Sequence, residues 1–387
     1  LENTSPKVQG RAAEALARIG AESAAPAIGR MVRSYVSAAF EVDPEDLSYP
    51  QSDEVEAFRL GLYALAELKA FEPMARAVLE ENYQPILWWW PVAHALQRLE
   101  DPRGLAALTT LAGVQGSVGV ALAARGLGAL ADPRGIDALV KLLDVESRSA
   151  RVVASAVRAL GNIDDERSAE ALNFFVRTRD LEPMLRLEAI DALGRLRSMA
   201  AIEVFTELLS HPWPPMRASA LMGLAQAEPE SLLFVLSGLG SDPDWRVRAA
   251  LAQALEHAAP DAARYRLTLM LNDEDQRVLP HVLASLVAVR APDVSVVLQE
   301  QLRSNDIVVR KTAARLLGEL RPDGAASALA EAYRAALPDA SYVARAATLE
   351  ALASYGGPVA RETLRVALED PDWATRVLAA ERLGELE

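Results

Sequence analysis

Apolar positions recur along this chain on two length scales. Within short stretches they fall at helical spacing. Trp245, Val247, Ala250, Leu251, Ala254 and Leu255 share one face of a segment opened by Asp242-Pro243-Asp244. Asp244 is placed to cap that helix, and proline suits the turn before it. Over longer distances the whole segment returns, as in Asp370-Pro371-Asp372-Trp373 leading to Leu383-Gly384. Aligned on the leucine that closes each such helix, the anchors are Leu16, Leu65, Leu96, Leu127, Leu160, Leu193, Leu224, Leu255, Leu286, Leu317, Leu352 and Leu383. The steps between them are 49, 31, 31, 33, 33, 31, 31, 31, 31, 35 and 31 residues, a regularity that marks internal repeats. Each unit is expected to hold a shorter helix, such as Ile136 to Leu143 or Ala200 to Leu209, followed by the anchored one. That gives twelve anchored and eleven intervening helices. Glycine follows the anchor at Gly128, Gly161, Gly194, Gly318 and Gly384. A residue without a side chain there lets neighbouring helices approach closely.

The run Asp-Pro-Asp-Trp-Arg-Val-Arg-Ala-Ala-Leu-Ala-Gln-Ala-Leu, residues 242 to 255, resembles the short HEAT-like repeat first named from phycobilisome lyases. The resemblance extends over nearly the whole chain. It implies an all-α fold: a right-handed α-solenoid (an ARM/HEAT-like α-α superhelix) of about eleven to twelve helical hairpins. Residues 1–387 are then one repeat array, expected to be part of a longer chain. With helices about 8–10 Å apart, twelve layers make a path of roughly 100 Å. The family often carries arginine seven residues before the anchor, matched here by Arg186, Arg217, Arg248, Arg310, Arg345 and Arg376. The resemblance implies that these tie one repeat to the next through acidic turn residues. It also implies that the anchored helices line the concave face. The row two residues before each anchor then points into the concavity: Glu14, Tyr63, His94, Arg125, Arg158, Asp191, Met222, Gln253, Ala284, Arg315, Glu350 and Glu381.

Two departures from the period stand out. The first step carries 18 extra residues around Glu41 to Glu56, with seven acids and no base. Such a run reads either as a solvated loop or as a docking arm for a basic partner. Trp88-Trp89-Trp90 is followed by Pro91 inside what the alignment makes an anchored helix, so that helix starts late or is kinked. Three consecutive tryptophans cannot share one helical stripe. They either plug a distorted repeat, covering the base of the insertion, or form a binding surface. Trp245, Trp373 and Trp213 read as packing residues. A smaller insertion near Ala335 to Ser341 lengthens one loop.

Composition narrows the chemistry. The formal charge is −14, which argues against a broad phosphate-binding groove and against nucleic acid as the partner. There is no cysteine, so disulfides, thiolate catalysis and zinc–sulfur sites are excluded. The compartment stays open, with the cytoplasm the marginal preference. No apolar run approaches the roughly 18–20 residues that span a bilayer. The four histidines, His94, His211, His257 and His281, form no metal-ligand spacing. HEAT-like iron hydroxylases use repeated His-Glu pairs, and only Glu256-His257 stands here. No nucleophile elbow or glycine-rich phosphate loop is present.

These readings converge on a non-enzymatic scaffold that binds a protein partner on its concave face, without metal or cofactor. The sector nominated for contact is Tyr63, Trp88, Trp89, Trp90, His94, Arg125 and Arg158. Two alternatives stand beside it: a bilin-lyase-like protein handling a tetrapyrrole, and the accessory repeats of a larger enzyme. Apolar array ends would also let copies stack end to end.

Overall fold

The computed structural model describes residues 1–178, 180–238 and 241–386. Among them it forms twenty-four α-helices and no strand, only an isolated β-bridge between Leu79 and Pro85. Twelve helices carry or immediately precede the anchor leucines, eleven intervene, and Val36–Phe40 is an extra short one. The chain is an all-α solenoid that divides into two compact units, Leu1–Val204 and Phe205–Glu387.

In the first unit the anchored helices are Pro6–Arg18, Asp53–Glu67, Trp90–Leu99, Val118–Leu130, Ala150–Leu160 and Pro183–Leu196. Each packs on the next, and the helices between them pack against their sides. The second unit repeats the plan with Pro214–Ala227, Trp245–Ala254, Leu279–Ala288, Ile307–Leu320, Val343–Tyr355 and Trp373–Leu386. Each helix is named below by its anchor. The ten inner anchor leucines are buried, whereas Leu16 and Leu383, with an anchored neighbour on one side only, are half-buried. The glycine after the anchor is explained by its neighbour. A Cβ on Gly128 would stand 2.6 Å from Ala159 Cα, and one on Gly161 would stand 2.6 Å from Ala192 Cβ. Only hydrogen fits between helices that close.

The spaced arginines form an interlock in the second unit. Arg217 donates two parallel bonds to the Asp242 carboxylate, at 2.7 and 2.9 Å. Its remaining nitrogen reaches the carbonyls of His211 and Pro212, at 2.8 and 3.2 Å. One repeat later Arg248 does the same with Asp273, at 2.7 and 2.9 Å, and with the carbonyls of Asp242 and Pro243, at 2.8 and 3.1 Å. Arg310 pairs with Asp339, and Arg345 with Asp370. The planar fork suits this job, because it satisfies a carboxylate and the end of a preceding turn at once. Burial opposes ionisation of Asp242, yet hydrogen bonds from Arg217 and the Asp244 amide, with the charges of Arg217 and Arg248, together hold the carboxyl below the usual range. Among the described residues Arg186 and Arg376 make the carbonyl half alone, to Thr178 at 2.8 Å and to Asp370 at 2.8 Å.

The tryptophans beside these turns pack unequally, and none of the three is fully buried. Trp245 is half-buried under the Arg277 guanidinium of the next repeat, 4.5 Å from its ring centre. Trp373, on the last anchored helix, receives no such cover among the described residues and is 69% exposed.

Candidate partner-binding face

The Leu65 helix starts at Asp53 because Ser52 accepts a hydrogen bond from the Val55 amide at 3.3 Å. Its first turn carries Asp53, Glu54 and Glu56, which favours the positive end of the helix dipole. The last part of the acidic insertion is therefore helix. The Leu96 helix starts at Trp90, with Pro91 in the first turn. Proline thus sets a late start.

The three tryptophans differ in exposure, although the Trp89 and Trp90 indole N–H groups both donate to the Asp46 carbonyl, at 3.4 and 2.9 Å. Trp88 is 54% exposed. Trp89 is 2% exposed and stacks on Phe58 with ring centres 6.1 Å apart. Burial withdraws it from any surface role. Trp90 is half-buried, and its indole N–H donates to the Asp46 carbonyl at 2.9 Å. The Trp90 backbone N–H reaches the Pro44 carbonyl at 3.3 Å.

The insertion is consequently a strap. Beside Asp46, the Glu45 carboxylate accepts hydrogen bonds from the amides of Ser117 and Val118, both at 2.9 Å, and of Gly119 at 3.4 Å. It caps the start of the Leu127 helix from across the sequence, where anions are favoured. Burial alone would raise the Glu45 pKa; the amide bonds outweigh it and bring the pKa below its ordinary value. The run is thus neither a freely solvated loop nor an arm held out for a basic partner along its length. Glu41 and Asp43 remain exposed or half-exposed, while Glu45 is pinned.

Under the strap lies the face nominated from sequence. The Tyr63 ring meets His94 edge-on, with centres 5.0 Å apart, and Trp90 lies 6.5 Å from His94 in the same manner. Trp90, His94 and Arg98 occupy positions i, i+4 and i+8, one stripe of the Leu96 helix. The preceding helix presents Arg59 and Tyr63. The Arg59 guanidinium stands 5.4 Å from the Tyr63 ring centre and pairs with Glu56 at 2.5 Å. The Leu127 helix contributes Arg125, which is exposed. Burial, with the charges of Arg98 and Arg125, pushes the His94 pKa down, so its ring is neutral near pH 7. Its Nδ1 is buried without a hydrogen-bond partner. Burial raises the Tyr63 pKa against the opposing pull of Arg59.

The structure thus brings together Tyr63, Trp90, His94 and Arg125. It sets Arg158 apart, since Glu188 engages it at 2.7 and 2.6 Å. Arg59 and Arg98 were not singled out from sequence. The signal was present, because each stands four residues along a helix from a nominated ring. Elsewhere on the row, the Gln253 amide meets His281 Nδ1 at 3.1 Å. His211 Nδ1 accepts the Trp213 amide at 3.1 Å, a local turn role.

Known proteins share the scaffold that carries this face. The sequence profile of HEAT repeats matches residues 120–179, 174–256 and 232–318, over half of the chain. The chain belongs to the HEAT-repeat family. The profile of the PBS lyase HEAT-like repeat matches residues 8–33 of this HEAT-repeat protein as well. Among solved structures, karyopherin Kap121p bound to the SUMO protease Ulp1p is similar at 14% identity and a TM-score of 0.52. That match covers 91% of this chain and 45% of the karyopherin, so the chain spans just under half the length of that solenoid. An engineered protein matches at 22% identity and a TM-score of 0.34, covering 92% of this chain and 98% of its own. The complex of CpcE and CpcF of phycocyanin lyase from Nostoc sp. PCC7120 matches at 17% identity and a TM-score of 0.37, covering 65% and 94%. No curated protein matches the HEAT-repeat chain in sequence. Among the described residues no helix is long and apolar enough to cross a membrane.

Proposed function

We propose that this chain is a non-enzymatic scaffold that holds a protein partner on the solvent-facing side of its anchored helices. The observation that carries the reading is one continuous face on three successive helices, built from Tyr63, from Trp90, His94 and Arg98, and from Arg125. Rings and guanidinium groups of this kind are enriched where partners are gripped, because they bring large contact area with few rotatable bonds. A stack of repeats supplies such a face at regular intervals, each contributing one or two side chains. The karyopherin likeness supports the fold on which the reading rests, and the residues are this chain's own.

Site-specific photocrosslinking tests it. A crosslinking amino acid placed at Tyr63 or Arg125 is expected to trap a discrete protein in the native extract. The same amino acid at Tyr265, on an intervening helix, is expected to trap none of it. Arg125→Glu, combined with a crosslinker at Tyr63, is expected to abolish the adduct. Equal trapping at positions 63 and 265 would reject the face.

A further inference from the structure

The chemistry of the same face narrows the kind of partner it takes, an inference that rests on the scaffold reading. Its cations are not equally committed. Arg59 is neutralised by Glu56, and Arg158 by Glu188. Arg98 and Arg125 have no ion pair among the described residues, although the chain carries 54 acidic residues against 40 basic ones. Both lie close enough to His94 for their charge to disfavour its protonation. Two uncommitted guanidinium groups beside a neutral imidazole and two aromatic rings suit a ligand with carboxylates at one end and an apolar group at the other.

The spacing of the fold constrains that ligand further. Packed helices lie about 8–10 Å apart. A polyproline II segment turns once every three residues and rises about 3.1 Å per residue, so one turn is about 9.3 Å. Such a segment laid across the helices presents every third side chain to successive anchored helices. The order of the face is the Tyr63 ring, then Trp90, His94 and Arg98, then Arg125. We propose that the face binds an extended polyproline II segment of the form apolar-x-x-acid-x-x-acid. The apolar residue lies against Tyr63 and Trp90, the first carboxylate at Arg98, and the second at Arg125. Charge complementarity selects this occupant over a basic peptide, which the free guanidinium groups would repel. A β-strand fits less well, because its side chains alternate with a period of two.

The probe is fluorescein-labelled Leu-Pro-Pro-Glu-Pro-Pro-Glu-Pro-Pro, read by fluorescence anisotropy with the full chain. Binding is expected to weaken at least about tenfold when either glutamate is replaced by glutamine, the loss of one charged hydrogen-bonded pair. Moving the acids to a spacing of four should cost as much. Arg125→Glu and Arg98→Glu should each abolish binding of the parent peptide. Arg125→Glu should regain a peptide whose second glutamate is replaced by lysine. That rescue separates recognition from damage to the fold, as does an unchanged circular dichroism melt, since both arginines are exposed. Binding that ignores the glutamine or spacing changes would overturn the proposal. So would no binding up to millimolar peptide, or stronger binding of a labelled oligothymidylate, which would assign the cations to phosphate. In any of these cases crosslinking at Tyr63 and Arg125 still decides independently whether the face holds a protein.

Discussion

At the residue scale, the strap and the interlock show two ways in which carboxylates are used. Glu45 replaces the missing helix partners of three amides. Glu45→Gln is expected to cost about 1–2 kcal/mol, as for other caps, and to lower the melting temperature. Tryptophan emission should shift red as the Asp46 carbonyl lets Trp90 go. The pH dependence follows from the lowered pKa. An unfolded glutamate titrates near about 4.3, so the Glu45 contribution is complete above that value. It is lost as pH falls through the lower folded value, and the Gln variant should lack that acid-side decline. Arg345 and Asp370 are a different case, since both are almost fully buried and the Tyr333 hydroxyl also donates to Asp370 at 2.8 Å. Arg345→Met would strand a buried carboxylate and is expected to cost about 3–5 kcal/mol in urea unfolding. The arginine positions were legible because a fixed offset from the anchor repeats. Glu45 was not: its amides lie more than seventy residues away, and nothing local distinguishes it from the other acids of the run.

At the scale of the element, most helices were legible from anchor spacing and turn residues together. Val36–Phe40 was not, because it lies directly before an insertion that has no counterpart in the other repeats. The late start of the Leu96 helix followed from Pro91, whereas the fate of each tryptophan did not. Neighbouring helices decide which ring is buried, and Phe58 was invisible as the platform for Trp89. The glycine after each anchor makes the sharpest prediction here. In Gly161→Val the new Cβ would lie 2.6 Å from Ala192 Cβ and 3.0 Å from its Cα. The helices must part, at about 1–3 kcal/mol for overpacking, and the melting temperature should fall accordingly. Gly161→Ala should fall between wild type and valine.

At the scale of the whole molecule, the period declared an all-α repeat array. The division at Val204 and Phe205 was not legible, since the anchor steps on either side keep to 33 and 31 residues. The candidate face was legible in part, for a reason of the same kind. Tyr63, His94 and Arg125 share a register, so alignment alone lines them up, whereas the commitment of Arg158 to Glu188 depends on a different register.

The interlock also governs how such a chain tolerates editing. Arg217 and Arg248 hold acids at the same offset, Asp242 and Asp273, each 25 residues on. Excising residues 218 to 248 joins Arg217 to Ala249 within one continuous helix and brings Asp273 to the place Asp242 held. The shortened chain is expected to unfold cooperatively, with helical ellipticity per residue unchanged. A deletion one residue shorter should not, because Asn272 rather than Asp273 would then stand 25 residues after Arg217, and the rest of the spliced helix would be rotated by one position against its neighbours. The guanidinium–carboxylate clasp thus acts as a modular fastener, and it sets the reading frame in which whole units of this chain can be lost or gained.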